Sequence, residues 1–250
     1  MPELVYPPVI AAAKTMFRVL DLKINIEGAH HVPRTGGAVL ASNHVSYLDF
    51  IFAGLGANPS GRMVRFMAKH SVFEHRIGGP LMRGMKHIPV DREAGAASFR
   101  AAVDALKRGE VVGVFPEATI SRSFTVKELK SGTVRMARSA KVPVLPVALW
   151  GTQRLWTKGR PRTLTRRHTP ITILVGEPIE PADFRDPNVL AAELTTRLTA
   201  LVDRAQREYP DAPAGPDDTW WLPAHLGGTA PTPEEAAAMD AAGERRTPSV

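Results

Sequence analysis

Apolar and polar positions alternate along the chain with two periods. In residues 9–20, VIAAAKTMFRVL, Ile10, Ala13, Phe17 and Leu20 form one stripe and Lys14 and Arg18 lie on another, so the segment reads as an amphipathic helix. Such a helix suits packing on a core or lying in a membrane interface with its basic residues toward headgroups. KINIEG alternates with period two and predicts a strand. GAVLAS and EVVGVF are short, continuous apolar runs, the pattern of strands buried on both faces. YLDFIFAGLGA predicts a helix, as does 93–108, with Phe99, Val103 and Leu106 inward and Gly109 as its stop. VKELKSGTVRMARSA reads as a basic helix, and PITILVGEPI as a strand. VPVLPVALW also reads as a strand, whose prolines suit a sheet edge or a bulge. Residues 188–208 predict a long amphipathic helix through Leu190, Leu194, Leu198, Leu201 and Ala205.

Strands alternating with helices predict an α/β fold with a largely parallel central sheet flanked by helices. Residues 1–21 form the N-terminal amphipathic helix and 22–209 the main domain. Residues 210–250, rich in Pro and Ala, read as an extended C-terminal tail. Within the tail, Trp220–Leu226 (WWLPAHL) is apolar enough to dock on the domain.

Composition sharpens this picture. The chain has 250 residues, no cysteine and a net charge of +7. Lack of cysteine removes disulfides, thiolate metal sites and a cysteine nucleophile. The charge is uneven: the first 210 residues hold 30 basic and 18 acidic residues, a net of +12. So basic a core predicts an anionic partner, whether nucleic acid, anionic lipid or a phosphorylated substrate. The N-terminus resembles no signal peptide, since Glu3, Pro7, Pro8 and Lys14 interrupt it. No run approaches the roughly 18 apolar residues of a spanning helix. The eight histidines show no HExxH-like spacing, so no metal site is expected. Nucleic-acid binding lacks a fold signature.

Three short stretches carry candidate chemistry. In NHVSYLD, Ser46 and Asp49 have the form of a capping box, with Asp in place of Glu or Gln. His44 precedes that helix. On one continuous helix His44 and Asp49 would lie about 140° apart and could not meet. With His44 in the incoming loop, Asp49 in the first turn can reach back to the imidazole. A carboxylate on one ring nitrogen fixes the tautomer and raises the basicity of the other, which makes a general base. FPEATISRS follows a buried strand and offers Glu117, Thr119, Ser121 and Arg122 where ligands bind parallel sheets. HIPVDR places Arg92 at another strand end, suited to a phosphate or to a surface ion pair. The stretch 150–168 adds Lys158, Arg160, Arg162, Arg166 and Arg167 to Trp150 and Trp156. Basic residues beside aromatics suit an anionic membrane surface, coenzyme A phosphates or a solvated loop.

NHVSYLD, HIPVDR, FPEATIS and VPVLPVAL, in this order and spacing, resemble the four motifs of the glycerolipid acyltransferases. The likeness is greatest to bacterial 1-acylglycerol-3-phosphate acyltransferases and runs from about residue 22 to about 180. The resemblance implies that His44 deprotonates the free hydroxyl of a lysophospholipid, which attacks an acyl thioester, and that Asp49 orients His44. It implies a phosphate-holding role for Arg92 and acceptor binding by Glu117 and Thr119. The motif spans Phe115 to Ser121, and Lys130 and Gly132 match a lysine and glycine that often follow, so Ala118, Ser121, Arg122 and Lys130 join the expected substrate-binding residues. The donor would be acyl-CoA or acyl carrier protein, with no cofactor. The expected location is the cytoplasmic face of the cell membrane, peripheral or monotopic, on an anionic surface.

The sequence departs from the family at three positions. Ala118 and Lys86 stand where glycine is usual, and Ile120 stands where arginine is usual, so Arg122 is the candidate substitute cation. These departures bear on the acceptor headgroup more than on the chemistry. Glycerol-3-phosphate, another lysophospholipid, or an inert lipid-binding role are the alternatives. With no cysteine and no GxSxG elbow, direct attack by a His-activated hydroxyl is the expected mechanism.

Overall fold

The apolar runs line up side by side. In the computed structural model, which describes residues 3–91, 95–180, 182 and 186–246, they form a seven-stranded sheet. Its strands are β1 (Lys23–Glu27), β2 (Ala38–Ser42), β3 (Val64–Lys69), β4 (Ile88–Val90), β5 (Val111–Val114), β6 (Val144–Trp150) and β7 (Pro170–Val175). The order is β1-β7-β6-β2-β5-β3-β4, and every neighbouring pair is parallel except β6–β7. Helices α1 (Tyr6–Val19), α2 (Asp49–Ala57), α3 (His70–Glu74), α4 (Gly78–Gly84), α5 (Gly95–Lys107), α6 (Gly132–Ala140) and α7 (Pro187–Arg207) accompany it, and α8 (Pro233–Arg246) closes the described chain.

Burial on both faces explains why β2 reads as an unbroken apolar run. Ala38 and Leu40 face a cluster with Phe17 of α1 and Phe52 of α2. Val39 and Ala41 face a second cluster with Leu106 of α5, Ala137 of α6 and Leu190 of α7. The chain leaves β2 toward β3 on one side, and later crosses from β5 to β6 on the other. The carboxyl ends of β2, β5 and β6 therefore meet where the winding reverses, the usual ligand position in such sheets.

The structure differs from the sequence reading in several places. Strand β6 lies inside the sheet, between β7 and β2, rather than at an edge. Pro146 is tolerated because it sits just outside the stretch paired with β7, where its carbonyl accepts from Gly176 N–H. The helix expected over 126–140 begins only at Gly132. Tertiary bonds claim the preceding backbone: Lys127 N–H donates to Glu117 Oε2 and Lys130 N–H to the Pro116 carbonyl. Strand β3 and helices α3 and α4 were not anticipated. Of the two expected glycine positions, Lys86 has φ +58° and Ala118 φ +61°, both in the left-handed region that glycine adopts without cost.

The C-terminal stretch is more ordered than an extended tail. Trp221 is wholly buried, edge-on to Tyr209, with the Arg154 guanidinium 4.3 Å from its ring centroid. Arg154 is itself buried and pairs with Asp211. Trp150, expected at an interface, is core, packed edge-on to Phe124 and Tyr209. Helix α8 starts with a reciprocal capping box: Thr232 N–H donates to Glu235 Oε2, and Glu235 N–H to Thr232 Oγ1.

Trp221→Ala should cost about 3–5 kcal/mol, the usual figure for removing a buried large aromatic. Trp221→Phe should cost clearly less, because Trp221 Nε1 has no partner to lose. Urea denaturation measures both. Equal, negligible losses would show that residues 210–230 are not part of the folded unit.

Candidate active site

Asp49 opens α2 and is fully buried. Its Oδ2 accepts from the N–H groups of Val45 and Ser46, each at 2.7 Å, and from His44 Nδ1 at 3.0 Å. Its Oδ1 accepts from Thr152 Oγ1 at 2.6 Å. The capping box is thus half formed. Asp49 returns to the Ser46 N–H, whereas Ser46 Oγ accepts from Leu48 N–H at 3.1 Å rather than from Asp49 N–H. His44 lies in the loop between β2 and α2, and this fold-back brings its ring onto the carboxylate. A carboxylate at the first turn of a helix also meets the positive end of the helix dipole.

The imidazole is held on its face as well as its edge. The His44 ring stacks on Phe115 at 4.2 Å with planes 19° apart, and Phe115 stacks on Phe66 at 5.9 Å and 14°. Gly113 makes room for this column, since a Cβ there would sit 2.4 Å from the Phe66 ring. With Nδ1 on Asp49, Nε2 takes no hydrogen bond among the described residues. The His44 side chain remains 20% exposed, so a substrate can reach it. Asn43 ties the base of the loop to β6 by pairing its amide with both backbone groups of Leu149.

Glu117 belongs to the same frame. It is buried, its Oε1 accepts from His44 N–H at 2.9 Å, and its Oε2 accepts from Lys127 N–H at 3.1 Å. Burial pushes its carboxyl up to about 8, against the pull of those two N–H donors and of Lys127. Both oxygens are therefore used to position the His44 loop. Ser121 is likewise buried: its N–H donates to the His44 carbonyl at 2.7 Å and its hydroxyl to the Thr125 carbonyl. Ala118 is exposed, but its N–H is already bonded to the Phe115 carbonyl. Ile120, in the position of the family's arginine, is buried.

The remaining candidates scatter around this frame. Thr119 is half-buried and its hydroxyl lies 3.4 Å from Lys158 Nζ. Arg122 is half-buried and donates from Nε to Asp240. Lys130 is exposed at the surface. Arg92 lies outside the described residues. His87, in the second motif, is buried and accepts from Phe66 N–H on Nδ1; burial, and then Arg65, hold its imidazole down at about 4. Sequence reasoning missed Thr152, although it follows β6 at the winding reversal, where strand-end polar residues merit inspection. Gly113, Lys127 and Asp240 were also missed. The first acts by lacking a side chain, and the other two are brought in by long-range folding.

Comparison with known proteins follows the same line. The sequence profile of the Acyltransferase family matches residues 23–150. The 1-acyl-sn-glycerol-3-phosphate acyltransferase of Bacillus subtilis is 31% identical over 172 residues, covering 66% of this chain and 79% of that one. The chloroplastic 1-acyl-sn-glycerol-3-phosphate acyltransferase LPAT1 of Arabidopsis thaliana is 29% identical, covering 72% of this chain and 49% of that protein. The match spans 58% of the Limnanthes douglasii relative of that name, so the chain accounts for only about half the length of these plant proteins. The crystal structure of the 1-acyl-sn-glycerophosphate acyltransferase PlsC from Thermotoga maritima superposes with a TM-score of 0.69 at 24% identity, covering 82% of this chain and 81% of that one. The family match over 23–150 therefore includes β1 to β6, the His44–Asp49 loop and the Phe115–Ser121 turn described above, and the chain belongs to the acyltransferase family.

Proposed function

We propose that the chain is an O-acyltransferase that moves an acyl group from a thioester to the free hydroxyl of 1-acyl-sn-glycerol-3-phosphate, making phosphatidic acid. The carrying observation is the four-donor Asp49 carboxylate, which holds Nδ1 of His44 and leaves Nε2 open. In this reading Nε2 takes the proton of the acceptor hydroxyl as its oxygen attacks the thioester carbonyl carbon. The tetrahedral adduct then collapses, the carbon–sulfur bond breaks, and the leaving thiolate takes the proton from Nε2. No acyl-enzyme forms. General-base catalysis accounts for about 10²–10⁴-fold, and positioning of the two substrates for much of the rest.

The donor is a coenzyme A or carrier-protein thioester, and Arg92 keeps its implied role of holding the acceptor phosphate. Glu117 and Ser121 act by shaping the His44 loop, while Thr119 is accessible enough to touch the acceptor. The buried Ile120 favours a second acceptor, glycerol-3-phosphate or a different lysophospholipid, because the usual cation is absent there. Initial rates on a panel of these acceptors separate the two readings.

The substrates are lipids, so the chain must meet a bilayer. Among the described residues no helix is long and apolar enough to cross one. The start of α1 packs on α3 and α4 through Tyr6, Phe73, Met82 and Met85. Leu4, Val72, Ile77 and Leu81 stay exposed in these same segments, beside Lys69, Arg76 and Arg83. Exposed apolar side chains rimmed by cations suit docking on the anionic cytoplasmic leaflet. The Phe17 stripe of α1 faces the core instead, with Phe17 stacked on Phe52 at 4.8 Å.

His44→Ala should lower kcat by about 10²–10⁴-fold in a protein that still folds, although it takes one donor from the buried Asp49 carboxylate. Asp49→Asn should lower it as well, because an amide cannot accept all four donors. Near-native turnover of a folded His44→Ala protein would refute the general-base role. Ile77→Asp with Leu81→Asp should weaken co-sedimentation with phosphatidylglycerol vesicles while leaving the melting temperature unchanged. Undiminished co-sedimentation would exclude this face.

A further inference from the structure

Three cations converge on a single carboxylate beside the catalytic turn. Asp240 of α8 accepts from Arg122 Nε at 3.1 Å and Lys158 Nζ at 2.7 Å on Oδ1, and from Lys127 Nζ at 2.8 Å on Oδ2. The four side chains are each 14–29% exposed, and together they carry a surplus of two positive charges. Burial works to raise the Asp240 carboxyl, but Lys127, Lys158 and Arg122 outweigh it and hold it down at about 2.

The cluster is joined to the site on two sides. Lys158 Nζ is also 3.4 Å from the Thr119 hydroxyl. The backbone of Lys127 is bonded to Glu117, whose other oxygen holds the His44 N–H. Arg122 is packed tightly: a Cβ on Gly159, which has φ +79°, would lie 2.6 Å from its Nη1. This is a multi-donor anion cradle next to a motif whose usual arginine is replaced by the buried Ile120.

The anion now in the cradle is weakly anchored otherwise. Ala236 is the buried apolar residue of α8 among those described, and Met239 is 48% exposed. Burial of one alanine contributes little, so among the described side chains of α8 the three ion pairs of Asp240 are the chief attachment.

We propose that Arg122, Lys127 and Lys158 form a phosphate-monoester subsite, and that Asp240 occupies it as an internal stand-in, making α8 a strap that substrate phosphate displaces. The proposal rests on the acyl-transfer reading for its ligand class. The phosphate could come from the acceptor headgroup or from the 3′-phosphate region of a coenzyme A donor.

Isothermal titration of the full chain with sn-glycerol 3-phosphate and, separately, adenosine 3′,5′-bisphosphate distinguishes the sources. Asp240→Asn should bind at least one of them about tenfold tighter than wild type, as expected if the strap is closed in roughly nine molecules of ten. Adding Lys127→Met should abolish the gain. No change in either affinity for a folded Asp240→Asn protein overturns the proposal, as does a gain that survives Lys127→Met. Should Asp240→Asn fail to fold, hydrogen exchange of the wild type decides. Saturating ligand at fixed ionic strength should speed exchange of the amides in 233–246; unchanged exchange, or no binding of either ligand, overturns the proposal. These are binding readouts. A chain that binds phosphate through the cradle yet transfers no acyl group would refute the proposed activity and leave the subsite standing.

Discussion

A buried carboxylate must be satisfied, and Asp49 shows how this chain satisfies one. Four donors from two parts of the structure converge on it: two backbone N–H groups and the His44 ring of the β2–α2 loop, and Thr152 beyond β6. Removing a carboxylate from water costs several kcal/mol unless such partners replace the lost hydration. Meeting that demand dictates the fold-back of the His44 loop, the start of α2 and the approach of Thr152. The proposed catalytic geometry and the local stability of the loop are therefore one arrangement, not two competing ones.

The surrounding frame repeats the logic with different groups. Glu117 takes the His44 and Lys127 N–H groups, Asn43 takes both backbone groups of Leu149, and Ser121 N–H takes the His44 carbonyl. Polar side chains here serve as backbone partners where the parallel strands end and ladder bonds stop. The aromatic column of Phe66, Phe115 and His44 fixes the remaining freedom of the ring. Residues that a motif comparison assigns to substrate, such as Glu117 and Ser121, are occupied in positioning the loop.

How much of this was legible in the sequence depends on the range of the interaction. Period and apolar runs located β2, β5, β6, β7, α5 and α7, because their causes are local. The pair His44–Asp49 was legible because both residues sit within six positions and share a helix start. Thr152, 103 residues beyond Asp49, was not. Helix 126–131 was overpredicted because bonds to Pro116 and Glu117 won over local propensity. Helix α8 was hidden inside a Pro- and Ala-rich composition, although TPEE, Thr232 to Glu235, carries the capping box that starts it. Ala118 and Lys86 are instructive in the opposite sense: each stands where glycine is usual in the family, and each adopts the positive φ that explains the glycine.

The proposed chemistry turns on the ring nitrogen that His44 leaves free. Long-range 1H–15N correlation spectra of 15N-histidine-labelled protein, assigned with His44→Ala, read that tautomer directly. With Asp49 accepting from Nδ1, the neutral His44 ring should carry its proton on Nδ1 and its lone pair on Nε2, in a single form that persists as substrate analogues are added. A neutral ring protonated on Nε2, or one exchanging freely between the two tautomers, would contradict the account.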